Sequence, residues 1–127
     1  MFQKRVLLSK HSSYKIGGPA KYFFEAKNIK EIIKAIELAK RLKTPFFVLG
    51  GGTNILFNDK GFNGLVIKIQ SSKIKIQNNN SKSKIIKADA GVSLSELVEA
   101  SVRNNLSGLE WAAGIPGTVG GAVRGNA

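Results

Sequence analysis

Cysteine is absent from the 127 residues, which excludes a disulfide framework, a thiolate nucleophile and any thiol-based metal site. Histidine is nearly absent: His11 stands alone among scattered carboxylates, which argues against a zinc site. Long apolar runs are missing too. The opening stretch from Met1 to Lys10 has no hydrophobic segment of the secretory type, and nothing later approaches membrane-spanning length. The expected location is therefore the cytoplasm, with no membrane partner. What remains, 43% hydrophobic and 22% charged residues, is ordinary for one compact soluble domain or part of a larger protein.

Acidic residues are scarce. Eight Asp and Glu face 20 Lys and Arg, for a net charge of +12, which invites a nucleic-acid reading because clustered cations neutralise phosphates. The lysines are dispersed, however. In Lys73-Ile74-Lys75-Ile76 and Ser83-Lys84-Ile85-Ile86-Lys87 they largely alternate with isoleucine, the pattern of strands with one solvated face. No aromatic residues interleave with them, so no stacking platform for bases is visible. The excess charge still helps to gather small anions.

Along the chain, Ile16-Gly17-Gly18-Pro19 marks a turn, and Ala20 to Ala26 reads as an aromatic-rich strand. A helix follows, capped by Asn28 with Glu31 in the capping-box position, and with Ile29, Ile32, Ile33, Ile36, Ala39 and Leu42 on one stripe. After Pro45, the unbroken run Phe46-Phe47-Val48-Leu49 has the character of a buried parallel strand, which completes a right-handed βαβ crossover. Gly64 to Ile69 and the two Lys/Ile strands, joined by an Asn78-Asn79-Asn80-Ser81 turn, suggest an antiparallel meander, and composition marks no boundary there. Ser93 and Glu96 form a capping-box signature for a helix carrying Leu94, Leu97, Val98 and Val102 and ending near Asn104-Asn105.

Two glycine-rich stretches carry the functional signal: Gly50-Gly51-Gly52-Thr53-Asn54 and Gly114-Ile115-Pro116-Gly117-Thr118-Val119-Gly120-Gly121. Each offers main-chain N–H groups without intervening side chains, as a nucleotide pyrophosphate requires. The first follows a strand, where open α/β sheets place ligands. It does not open a helix with G-x-G-x-x-G, which rules out a Rossmann loop, and no Gly-Lys-Ser/Thr follows, which rules out a Walker loop. A simple tight turn is the competing reading. The pair together suggests an enclosed dinucleotide such as FAD.

Four blocks in order then resemble a known family: Ser13-Tyr14-Lys15-Ile16-Gly17-Gly18-Pro19-Ala20, Val48 to Leu56, Gly61 to Ile67, and Gly108-Leu109-Glu110-Trp111-Ala112-Ala113-Gly114 through Ala122. The chain resembles the N-terminal part of the UDP-N-acetylenolpyruvoylglucosamine reductase (UDP-N-acetylmuramate dehydrogenase) family. That resemblance implies an α+β FAD-binding domain of the vanillyl-alcohol-oxidase (PCMH) type, built of βαβ plus antiparallel strands and truncated at its C-terminus. It implies a first subdomain at about 1–70 and the start of a second at about 71–127, with the substrate-binding domain absent. The cofactor-binding residues it implies are Gly50, Gly51, Gly52, Thr53, Asn54 and Ile55, with Ile115, Pro116, Gly117, Thr118, Gly120 and Gly121 passing along the cofactor. Pro116 reads equally as a rigid turn residue, Asn126 as the start of a family Asn-Ala-Gly-Ala segment, and Trp111 and Glu110 as residues that pack and position the loop.

The implied chemistry has NADPH reduce FAD and the flavin reduce the enolpyruvyl group of a UDP-sugar, in peptidoglycan synthesis. The family's Tyr-Arg-x-Ser-like segment, its serine or cysteine proton donor and its late glutamate do not occur here, so no catalytic residue is assigned and those groups are expected downstream of Ala127. Ser12, Ser13, Ser93 and Ser95 match other family positions, and Arg124 is a poor substitute for the catalytic arginine. The expectations are a monomer without nucleic-acid partners, inactive as a reductase by itself. Two alternatives remain: a non-catalytic or different FAD-binding oxidoreductase of the same fold, and a basic nucleic-acid-binding protein.

Overall fold

The computed structural model describes residues 2–79 and 83–127, which fall into two compact units, Met1–Gln70 and Ser71–Ala127. The first holds a four-stranded sheet and one long helix. Its strands are β1 (Gln3–Leu7), β2 (Pro19–Ala26), β3 (Phe46–Leu49) and β4 (Phe62–Ile69), with α1 (Ile29–Arg41) after β2 and a short 3-10 turn, Leu8–His11, after β1. The sheet order is β1-β2-β4-β3; β1 is antiparallel to β2, and both β2 and β3 run parallel to β4.

Gly64-Leu65-Val66-Ile67 is apolar without interruption because β4 is the central strand, covered on both faces. Successive side chains point to opposite faces. Val66 joins Leu8, Ala20, Phe23, Leu49 and Phe57 in one core, whereas Leu65 and Ile67 join Ala26, Ala35 and Ala39 in the other. The second core lies under α1, where two alanines let the helix sit close to the sheet. Asn28 Oδ1 accepts from Glu31 N–H at 3.0 Å and the Glu31 carboxylate accepts from Lys27 N–H at 2.7 Å, so the acid reaches one residue before the cap.

Three expectations need correction. The α1 stripe centres on Ile32, Ala35, Ile36 and Ala39, leaving Ile29, Ile33 and Leu42 exposed, because the contact surface offered by β2 and β4 is narrower than the apolar arc of the helix. Phe46-Phe47-Val48 is parallel but not buried: these residues are 37%, 38% and 46% exposed, since β3 is an edge strand and only Leu49 reaches the core. The βαβ crossover from β2 to β3 steps over β4, which inserts between them. β4 therefore pairs with β2 and β3 and takes no part in a meander.

The second unit starts with an antiparallel hairpin, β5 (Ile74–Asn79) and β6 (Ser83–Ala88). Ile74 faces Ala88 and Ile76 faces Ile86 on the half-buried side, while Lys75 and Lys87 face each other in solvent. Asn78 and Asn79 belong to β5 rather than to a turn; Asn80 and Ser81, also assigned to that turn, lie outside the described residues. Asp89 closes the hairpin base, accepting from Ser71 Oγ and, at 3.1 Å, from Lys73 N–H, and those hydrogen bonds hold its pKa below the ordinary value. Helix α2 (Leu94–Arg103) begins with a full capping box: Ser93 Oγ accepts from Glu96 N–H at 3.1 Å, and the Glu96 carboxylate accepts from Ser93 N–H at 3.0 Å. A 3-10 turn, Glu110–Ala112, and helix α3 (Val119–Gly125) complete the unit. Mixed sheet and separate hairpin with helices make the chain α+β.

Candidate FAD site

The first glycine loop leaves the carboxyl end of β3, beside the end of β4, where Leu49 pairs with Lys68. Gly52 is its fixed point. With φ +71°, it adopts a left-handed conformation, and a Cβ there would run into the His11 carbonyl oxygen. Two consecutive residues hold the loop in place. Ser13 N–H donates to Gly52 O at 2.9 Å, Ser13 Oγ donates to the same oxygen at 3.4 Å, and Ser12 Oγ donates to Ile55 O at 3.0 Å.

These contacts engage carbonyl groups and leave the donors alone. Among the described residues, nothing accepts from the main-chain N–H of Gly50, Gly51 or Gly52. Gly51 and Asn54 are exposed, Gly50, Thr53 and Ile55 half-buried, and Gly52 buried. Buried or half-buried N–H groups require an acceptor. Successive N–H groups without side chains form a concavity for an anion, so the residues present fit a pyrophosphate.

The second stretch behaves differently. Val119 N–H donates to Val92 O at 2.8 Å, Gly120 N–H to Ala90 O at 2.9 Å, and Gly121 N–H to Thr118 Oγ1 at 3.3 Å, where Thr118 caps α3. The expectation of open donors therefore fails at Gly120 and Gly121. Gly120 serves close packing instead: a Cβ would stand 2.7 Å from Ala90 Cβ. Leu94 N–H donates to Gly117 O at 3.0 Å, which ties the stretch to the start of α2. The N–H groups of Gly117 and Thr118 have no acceptor among the described residues. Ile115 and Gly117 are half-buried, Pro116 exposed and Thr118 buried. Glu110 positions the approach by accepting from Gly108 N–H at 2.7 Å, whereas Trp111 is 59% exposed and does little packing.

Sequence reasoning missed His11 as a structural element of the first loop. Its ring stacks on Phe23 with centroids 4.4 Å apart, and Nδ1 lies 3.2 Å from Lys68 Nζ. Burial and then the Lys68 charge push its pKa down, Glu25 pulls the other way, and Lys10 adds a smaller downward push. That the sole histidine directly precedes two serines, six residues before a Gly-Gly-Pro turn, is a faint signal, legible only once β4 is placed. Close by in the same unit, Ile16, Leu56, Phe57, Asn58 and Asp59 line an open cleft of about 420 Å³. Among the described residues no cluster of metal-ligating side chains occurs, and no helix is long and apolar enough to cross a membrane.

Comparison with known proteins gives this geometry a context. Residues 20–127 match the model of a family described as FAD binding domain. The chain is 41% identical over 122 residues to UDP-N-acetylenolpyruvoylglucosamine reductase of Alkaliphilus metalliredigens (strain QYMF), covering 94% of the chain and 38% of that protein. It is 42% identical over 126 residues to the protein of the same name from Protochlamydia amoebophila (strain UWE25), covering 99% and 41%. The crystal structure of UDP-N-acetylenolpyruvylglucosamine reductase from Thermus caldophilus superposes with a TM-score of 0.69 at 35% identity, over 97% of this chain and 42% of that one. The chain thus spans about two fifths of the length of the relatives it matches and, with its donor-rich loop at the end of a parallel strand, belongs to the FAD-binding domain family.

Proposed function

We propose that this chain is the cofactor-binding part of a UDP-N-acetylenolpyruvoylglucosamine reductase, in which its two units are the subdomains of one FAD-binding domain. In this reading NADPH is the reductant, a UDP-sugar enolpyruvyl ether is the substrate, and the product feeds peptidoglycan synthesis. The observation that carries the reading is the set of N–H donors at Gly50, Gly51 and Gly52, at the carboxyl end of β3, for which no acceptor occurs among the described residues. They donate to pyrophosphate oxygens, while Thr53, Asn54 and Ile55 flank the cofactor on the same loop.

On the second stretch, Gly117 and Thr118 supply the remaining donors. Ile115 and Pro116 shape the approach, and Gly120 and Gly121 hold the segment in position. Bound FAD supplies hydride transfer; the residues here bind and orient it. Lys and Arg in excess draw the anionic cofactor toward the surface. Protonation of the substrate falls to groups outside this chain, so the chain by itself turns over no substrate.

Titrating the full-length protein into FAD and following flavin fluorescence tests the reading. Saturable quenching, with NADPH oxidation that depends on the enolpyruvyl UDP-sugar, is the expected result. Unquenched flavin overturns the cofactor assignment, and FAD binding without sugar-dependent oxidation overturns the substrate assignment.

A further inference from the structure

We propose that His11 is a positioning residue for the cofactor loop, its ring clamped by Phe23 and Lys68 so that the His11–Ser13 backbone holds Gly52 in its left-handed conformation. The inference rests on the reading of Gly50–Asn54 as the pyrophosphate cradle. Its geometry comes from three elements. Phe23 on β2 stacks on the imidazole at 4.4 Å, Lys68 on β4 faces Nδ1 at 3.2 Å, and the His11 carbonyl oxygen lies where a Cβ of Gly52 would be. The next two residues, Ser12 and Ser13, make the hydrogen bonds to Ile55 O and Gly52 O. A ring fixed on one side thus sets the main chain that grips the loop on the other.

An ammonium group offers only donors, so Nδ1 accepts from Lys68 while the imidazole is neutral. The charged groups facing the ring are Lys68 from β4, Glu25 from β2 and Lys10 from its own turn; burial first, then Lys68 and to a smaller extent Lys10, hold the neutral form to lower pH than usual against the opposing pull of Glu25. Protonation removes the acceptor and sets two cations side by side. The clamp then opens, and the loop loses its support.

In NMR spectra of the full-length protein the His11 imidazole signal is identified as the one lost in His11→Asn. Gly52 and Ser13 amide signals are expected to move with the midpoint of that signal, and Lys68→Met, which removes a like charge, is expected to raise the midpoint. His11→Ala is expected to weaken FAD binding roughly five- to tenfold, equivalent to one lost hydrogen bond. His11→Asn is expected to restore most of the loss, because its amide oxygen replaces Nδ1 as acceptor. Undiminished FAD affinity in both variants overturns the proposal while leaving the functional reading intact, and so do amide signals at Gly52 that ignore the titration. Absence of FAD binding in the wild type defeats the functional reading itself; the NMR coupling, which needs no flavin, judges the clamp separately.

Discussion

Replacing Gly52 with alanine tests the architecture of the first loop most directly. At φ +71° an L-residue carries a left-handed penalty of about 1–2 kcal/mol. The added methyl also meets a main-chain oxygen, that of His11, which cannot rotate aside as a side-chain tip would. Relief requires the His11–Ser13 backbone to retreat, giving up the hydrogen bonds from Ser13 N–H to Gly52 O and from Ser12 Oγ to Ile55 O. At about 1 kcal/mol each, these bring the total to about 3–4 kcal/mol. Urea unfolding followed by circular dichroism measures the loss. Gly125→Ala is the control, because nothing beyond its chain neighbours and its own helix backbone lies within 4 Å of its added methyl, and a change within about 0.5 kcal/mol is expected. If Gly52→Ala unfolds within that same margin of the wild type, the loop is not held as described.

Other perturbations probe the remaining framework. Leu65→Ala removes a fully buried side chain from the core under α1 and is expected to cost about 2–5 kcal/mol in thermal or denaturant unfolding. Ser93→Ala breaks the capping box of α2; a loss of about 1 kcal/mol, with faster amide exchange in the first turn of that helix, is the expected outcome. Asp89→Asn addresses pH. The folded-state pKa of Asp89 is depressed, by Ser71 first and the Lys73 backbone second, so its contribution is present above the ordinary carboxylate pKa of about 4 and is lost as pH falls through the depressed value. The stability gap between wild type and Asp89→Asn should be constant near neutrality and close in strong acid; a gap that persists there refutes the assignment.

The two long helices were legible because their signals are local: Asn28 and Ser93 cap them, Glu31 and Glu96 follow three residues later, and apolar side chains recur at helical spacing. The hairpin was legible for the same reason, through alternation of Lys and Ile. What escaped was settled by distant parts of the chain. Phe46-Phe47-Val48 has the composition of a buried strand, yet its exposure follows from β4 taking the central place. On the candidate site, triple glycine marks out the first loop in the sequence, but which donors are open depends on partners far away. Gly120 and Gly121 look as free as Gly50 and Gly51 in sequence, and only the approach of Ala90 and the cap at Thr118 shows that they are engaged.

The central strand of the first unit is also the last of that sheet to leave the ribosome. β2, α1 and β3 emerge in order, but β2 and β3 share no ladder until residues 62–69 arrive to join them. Until then the apolar faces of β2 and α1 have no finished core, and Phe46, Phe47 and Val48 are a strand without a neighbour, the kind of segment that pairs wrongly when left waiting. The insertion of β4 closes both cores and brings Lys68 opposite Leu49. The seating of the first glycine loop and the completion of the sheet are thereby acquired in the same folding event, so a nascent chain stalled before Phe62 has neither.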